Sequence, residues 1–171
     1  MEAAELRSLQ APLKDTYKRD PEAAFITLKA RGSLDDQNIA CKVETGRALA
    51  VAGLHPATGG SGLELCSGDM LLEALVACAG VTMKAVATAL ELPLKGGTVT
   101  AEGDLDFRGT LGVDKNAPVG FREIRLRFDI DCAASAEQID TLLKLTERYC
   151  VVFQTLIKRP ELKIAHGVAA A

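Results

Sequence analysis

Residues 67–86 read SGDMLLEALVACAGVTMKAV, the most apolar part of a 171-residue chain, with Cys78 in the middle. At about 100° per residue, Glu73, Ala77, Gly80 and Lys84 fall on one narrow stripe. Every other position between Met70 and Leu90 is apolar, apart from Thr82 and Thr88. A helix of this pattern is expected to be covered by protein on most sides, its polar stripe meeting solvent or a partner. Ser67 is the expected N-cap, and Asp69 suits the positive end of the helix dipole. The helix should run to about Leu90, with Pro93 closing it. Glu73 and Lys84 within the segment argue against a membrane span.

Outward from this helix, the chain is long enough for one domain with a proper core. Hydrophobic residues make up 48% and charged residues 25% of the sequence, with a net charge of -3. No block of basic residues is present and Trp is absent, so phosphate neutralisation and base stacking are poorly supplied. Nucleic acid is therefore not an expected partner. The N-terminal stretch MEAAELRSLQAPLKDTYKRD mixes charges and lacks an apolar leader segment, and the expected location is cytoplasmic.

The first twenty or so residues read as one or two short helices, with Pro12 in a first helical turn. AFITLKARGSL, NIACKVE and ALAVAG read as three strands, the last two separated by the turn residues Thr45 and Gly46. LHPATGGSG reads as a loop. Beyond the central helix, GTVTAEGDLDF and FREIRLRFDIDC alternate at period two as half-exposed strands, joined by a hairpin-like connection. A second helix starts at Ser135 with a capping box to Gln138. It continues past Tyr149, with a break, to Ile157, and KRPELKIAHG gives a short final strand. Strands followed by helices without βαβ alternation indicate an α+β fold on antiparallel sheet.

Cysteine is the residue type that offers chemistry. The five are Cys41, Cys66, Cys78, Cys132 and Cys150, an odd number without a C-x-x-C pair, and the histidines are His55 and His166. This is a poor framework for structural disulfides or zinc. Cys41, Cys66 and Cys132 read as packed or incidental, and no motif supports a Cys-His hydrolase dyad. Taken alone, Cys78 is better read as a buried small hydrophobe than as a reactive thiol. Two features favour a reactive thiol: small residues crowd around it in ACAG, and Cys150 lies late in the other long helix.

GDMLLEALVACAGVTMKAV followed some seventy residues later by RYCVVFQTL resembles the OsmC/Ohr family of thiol-dependent hydroperoxide reductases. The resemblance covers roughly residues 25–164. It implies a single domain over residues 23–171, preceded by a helical extension over 1–22. The implied fold is an intertwined homodimer in which antiparallel sheets wrap long central helices. Cys78 is then the cysteine that attacks an organic hydroperoxide, and Cys150 the one that resolves it. A dithiol such as dihydrolipoamide recycles the disulfide, and no bound cofactor is implied. The family's arginine matches Arg31, with Arg47 as the competing position; either is otherwise a solvated turn residue. The family's proline-glutamate pair is replaced by SGD, so the corresponding acid is Asp69, which also serves as a helix-capping charge. Val151 stands where the family often has proline. The missing acid motif keeps a second expectation open, a non-catalytic dimer that binds an apolar ligand or partner.

Overall fold

A computed structural model describes residues 2–20, 31–34, 40–44 and 49–167. Helix α1 (Ala3–Arg19) is one continuous helix with Pro12 inside it, not one or two short helices with Pro12 in a first turn. The proline withholds an N–H from the Ser8 carbonyl, but Ser8 is exposed and its carbonyl can turn to water. One turn on, the Thr16 hydroxyl donates to the Pro12 carbonyl at 2.9 Å.

Strands β1 (Arg31–Leu34), β2 (Ala40–Glu44) and β3 (Leu49–Gly53) form consecutive antiparallel pairs, with Leu34 opposite Cys41 and Cys41 opposite Ala52. The earlier part of the expected first strand and the Thr45–Gly46 turn lie outside the described residues. Within the expected loop, Pro56–Thr58 makes a 3-10 turn, capped where His55 Nδ1 accepts from the Ala57 N–H at 3.0 Å. A short strand that the sequence did not announce, β4 (Leu65–Cys66), then pairs in parallel with β3.

Helix α2 (Ser67–Ala89) follows without a break. Its N-cap is Cys66 rather than Ser67, because β4 keeps the chain extended through Cys66 and Ser67 is already helical. At the other end Glu91 adopts φ 56°, the left-handed conformation. Leu92 N–H bonds the Ala87 carbonyl at 2.9 Å and Glu91 N–H bonds the Thr88 carbonyl at 3.1 Å. This is the Schellman closure, built on glutamate where glycine is usual. Leu92 packs beside Ala87 to complete it.

Strands β5 (Leu94–Asp104) and β6 (Glu123–Cys132) form a separate antiparallel pair, with an irregularity near Lys95. Alternation puts Ile124, Leu126, Phe128 and Ile130 on the inner face of β6, opposite Gly103, Ala101, Val99 and Gly97. Gly103 is required there, since a Cβ would run into the Phe121 ring. The outer face is charged: Arg125 pairs with Asp104 at 2.5 Å and with Glu123 at 3.2 Å. The connection carries a short helix, α3 (Phe107–Thr110), rather than a simple hairpin loop.

Helix α4 (Ala136–Tyr149) begins with the expected capping box: Ser135 N–H donates to Gln138 Oε1 at 2.9 Å, and Gln138 N–H donates to Ser135 Oγ at 3.3 Å. The expected break falls at Cys150, and α5 (Val151–Ile157) continues beyond it. The final strand does not form; residues 158–167 are irregular, with Leu162 and Ile164 exposed. Pro160 removes a ladder donor from that segment.

The core has two parts. Leu75, Ala79 and Cys150 are buried together, and Met83, Ala87 and Leu142 make the second cluster. The α2 contribution is one i, i+4 stripe facing α4, α5 and the β5–β6 pair. Coverage on most sides is therefore not achieved within one chain: Val81, on another side of the helix, is 73% exposed. Among the described residues, α2 meets the four-stranded sheet through β4. Helix α2 has the length and hydropathy of a possible membrane span, and it buries Leu75, Ala79, Met83 and Ala87 against the rest of the chain.

Candidate redox thiol site

Cys78 sits one position before the buried Ala79, at the margin of the α2 stripe, so it is half-buried rather than enclosed. Cys150 arrives from the opposite side. On α4 the apolar stripe runs through Ile139, Leu142, Leu143 and the buried Thr146. The Thr146 hydroxyl is satisfied by the Leu142 carbonyl at 2.8 Å. The next turn of that stripe is Cys150, only 1% exposed and packed on Leu75 and Ala79.

The break at Cys150 is what gives the pair its chemistry. Cys150 has φ −72° and ψ 107°, ending α4 and capping α5 in the same residue. A helix start leaves its first N–H groups without intrahelical acceptors. Here those groups face sulfur. The Val152 and Val151 N–H groups, the Cys150 thiol and the Thr82 hydroxyl favour the ionised form of Cys78, and the Phe153 and Val152 N–H groups do the same for Cys150.

The two thiols are thereby made unequal. Burial opposes ionisation of Cys78, but the Val152 N–H, the Cys150 thiol, the Val151 N–H and the Thr82 hydroxyl outweigh it, and its pKa falls below the ordinary thiol value. Burial pushes Cys150 up, and donating its proton to Cys78 pushes it further. When the pair ionises, the proton is therefore lost first from the more accessible sulfur, Cys78, and kept longer by the deeper one. Among the described residues, the groups that lower Cys78 are neutral.

Of the other expected site residues, Asp69 alone has a described side chain, and it lies away from the thiols. Arg31 opens β1, its backbone opposite Glu44, and Arg47 lies outside the described residues. Asp69 is exposed in the first turn of α2 and lines a cleft with Glu73, Val76, Ala77 and Ala101. Nine residues of helix place it about 13 Å from Cys78 along the axis. The Val151 and Val152 donors were missed at the sequence level. The legible signal was the expected helix break, because a break just after a cysteine frees the N–H groups that follow.

Apolar space lies on either side of the thiols. A 580 Å³ cavity is lined by Leu71, Leu75, Phe121, Leu126, Phe153 and others, sharing Leu75 and Phe153 with the Cys150 cluster. A second cleft of 480 Å³ includes Thr82 and Tyr149 in its walls.

Comparisons with known proteins agree with this arrangement. The family profile described as OsmC-like protein matches residues 60–165, from the loop before β4 to beyond α5. The fold is similar to the crystal structure of an OsmC-like protein from Mycoplasma pneumoniae, with a TM-score of 0.64 and 18% identity over 78% of this chain and 89% of that one. It is also similar to an organic hydroperoxide resistance protein from Elizabethkingia anophelis, with a TM-score of 0.63 and 16% identity over 80% of this chain and 91% of that one. A third similar structure is an organic hydroperoxide resistance protein OsmC from Legionella pneumophila, with a TM-score of 0.61 and 16% identity over 79% of this chain and 92% of that one. A search of curated proteins gives no match. At these identities the structural likenesses establish the fold, and the profile, which spans more than half of the chain, establishes the family. With an α+β fold of the OsmC type and two thiols meeting between its helices, this chain belongs to the OsmC-like family.

Proposed function

We propose that the chain reduces organic hydroperoxides through Cys78 and Cys150. The observation that carries this reading is the packing of Cys78 against the buried Leu75–Ala79–Cys150 cluster, with the lowered pKa on the more accessible of the two thiols. The Cys78 thiolate attacks the outer peroxide oxygen. The O–O bond breaks, the alkoxide leaves with a proton as an alcohol, and Cys78 becomes a sulfenic acid. The Cys150 sulfur then displaces hydroxide, which takes the Cys150 proton and departs as water, leaving a disulfide. A dithiol such as dihydrolipoamide restores both thiols by exchange, its own sulfurs becoming a disulfide. The similar proteins named as organic hydroperoxide resistance proteins support the substrate class.

In this reading the chain works as a cytoplasmic homodimer, the second copy covering the apolar side of α2 around Val81. Arg31 supplies a cation to the assembled site, and Asp69 takes part only across the dimer interface, given its distance from Cys78 in its own chain. Consumption of cumene hydroperoxide with dihydrolipoamide as reductant tests the proposal. Turnover by the wild type that is abolished in Cys78→Ser supports it; no turnover, or equal turnover by both, removes it. The alternative of a non-catalytic apolar-ligand dimer was motivated by the absent acid motif. It expects the two sulfurs to be separated by apolar side chains, and the packing of Cys78 on the cluster that holds Cys150 gives it no support.

A further inference from the structure

In helices α1, α2, α4 and α5, every described threonine but one commits its hydroxyl to the backbone. Thr16, Thr88, Thr141, Thr146 and Thr155 each donate to the carbonyl four residues earlier, at 2.8 or 2.9 Å. This is the usual outlet for a threonine inside a helix. Thr82, in the middle of α2, is the exception: among the described residues its hydroxyl makes no such bond to the Cys78 carbonyl. Helical side chains lean toward the N-terminus, so position 82 lies over position 78. Of the residues one turn from Cys78 on α2, Ala74, Leu75 and Val81 are apolar, and Thr82 alone carries a hydrogen-bonding group. Both Cys78 and Thr82 are half-buried, where an unpaired hydroxyl is costly. The Thr82 hydroxyl favours the ionised form of Cys78. The titratable groups around this face are Cys150 and, in the wall of the cleft that Thr82 shares, Tyr149 from α4 and Lys14 from α1. Strands β5 and β6 and helix α5 present apolar side chains to the cluster on which Cys78 packs.

We propose that Thr82 is a positioning residue for Cys78: its hydroxyl, withheld from the backbone, is kept as a donor to the thiolate. A hydroxyl can accept from a protonated sulfur or donate to an ionised one, and the charge-assisted bond is the stronger. The same bond draws charge from the sulfur, which makes each thiolate less nucleophilic. Thr82 therefore raises the thiolate fraction at neutral pH and lowers the reactivity of each thiolate. The proposal rests on Cys78 being the reacting thiol of the preceding section, but its test involves no peroxide. Iodoacetamide labelling of the full chain across pH, quantified on the Cys78 peptide by mass spectrometry, gives a midpoint and a high-pH plateau. Thr82→Val keeps the branched shape and removes the hydroxyl. It should raise the midpoint and slow labelling at neutral pH. Its plateau should rise about threefold for each pH unit the midpoint moves, for a Brønsted coefficient of about 0.4–0.5, so its curve crosses that of the wild type. Thr82→Ser should restore the wild-type profile. Thr88→Val, which removes a hydroxyl already bonded to the Lys84 carbonyl, should leave it unchanged. Unshifted midpoints in both Thr82→Val and Thr82→Ala overturn the proposal. A Thr82→Ser profile that follows Thr82→Val also overturns it, as does a Thr82→Val curve displaced in one direction at every pH, the signature of altered access. Crossing profiles in a chain that consumes no hydroperoxide leave Thr82 in this role and remove the peroxidase reading instead.

Discussion

Cys78 packs against the cluster that holds the buried Cys150, at the point where α4 ends and α5 begins. This one relationship makes the two thiols unequal, Cys78 the more readily ionised and Cys150 the less. It depends on backbone geometry as much as on side chains, because the same break turns the Val151 and Val152 N–H groups toward Cys78.

The thiolate assignment predicts how Cys78 titrates. Its alkylation rate should rise with pH through a midpoint below that of an ordinary thiol, since only the thiolate reacts. Cys150→Ala removes the thiol donor and should move the midpoint up, slowing alkylation at neutral pH. Cys150→Ser keeps an O–H donor and should move it less. For stability the two groups act in opposite senses. The depressed Cys78 pKa contributes above the unfolded thiol's pKa, and the contribution is lost as pH falls through the folded value. The raised Cys150 pKa contributes below the unfolded thiol's pKa, and the contribution is lost as pH rises through the folded value.

Val151 allows a backbone test of the same idea. It is the first residue of α5, a position where proline is accepted, and the extended Cys150 that precedes it suits a following proline. Val151→Pro should therefore fold while deleting one N–H donor to Cys78. Unchanged far-UV circular dichroism with an upward shift of the Cys78 midpoint is the expected outcome; an unshifted midpoint would show that the N–H contributes nothing.

Packing around the site can be weighed separately. Leu142 is fully buried between Met83 and Ala87 of α2. Leu142→Ala should cost about 2–5 kcal/mol, the range for a buried leucine that leaves a cavity. The urea midpoint should fall without a change in slope.

Much of this architecture is legible in the residues. Ser135 and Gln138 announce the start of α4, and the alternation of EIRLRFDIDC announces β6. Pro93 marks the end of α2, although the turn itself uses Glu91 in a conformation that nothing in its side chain advertises. The short β4 was not legible, because two residues carry no periodicity and their pairing with β3 is a tertiary event. The final strand was expected over residues 158–167, but none of the described strands pairs with that segment. At the site, Cys78 and Cys150 were identified through the family resemblance, whereas the neutral donors arise from backbone N–H groups that have no residue signature.

Glu91 offers a stability gain. In an Arg7→Ala background, which removes its ion pair with α1, Glu91→Gly should stabilise by about 1 kcal/mol. The left-handed conformation costs a side-chain-bearing residue roughly that much. A fall in the urea midpoint would show that the glutamate is needed there for another reason.

The central claim is that Cys78 and Cys150 form one redox unit, and intact-mass analysis after a single equivalent of cumene hydroperoxide tests it most directly. The reduced wild type should lose the mass of two hydrogens, with peptide mapping giving a Cys78–Cys150 disulfide. Cys150→Ser should instead gain one oxygen at Cys78, trappable as a sulfenic acid. An unmodified Cys78 in the wild type, or oxidation confined to Cys41, Cys66 or Cys132, would contradict the account.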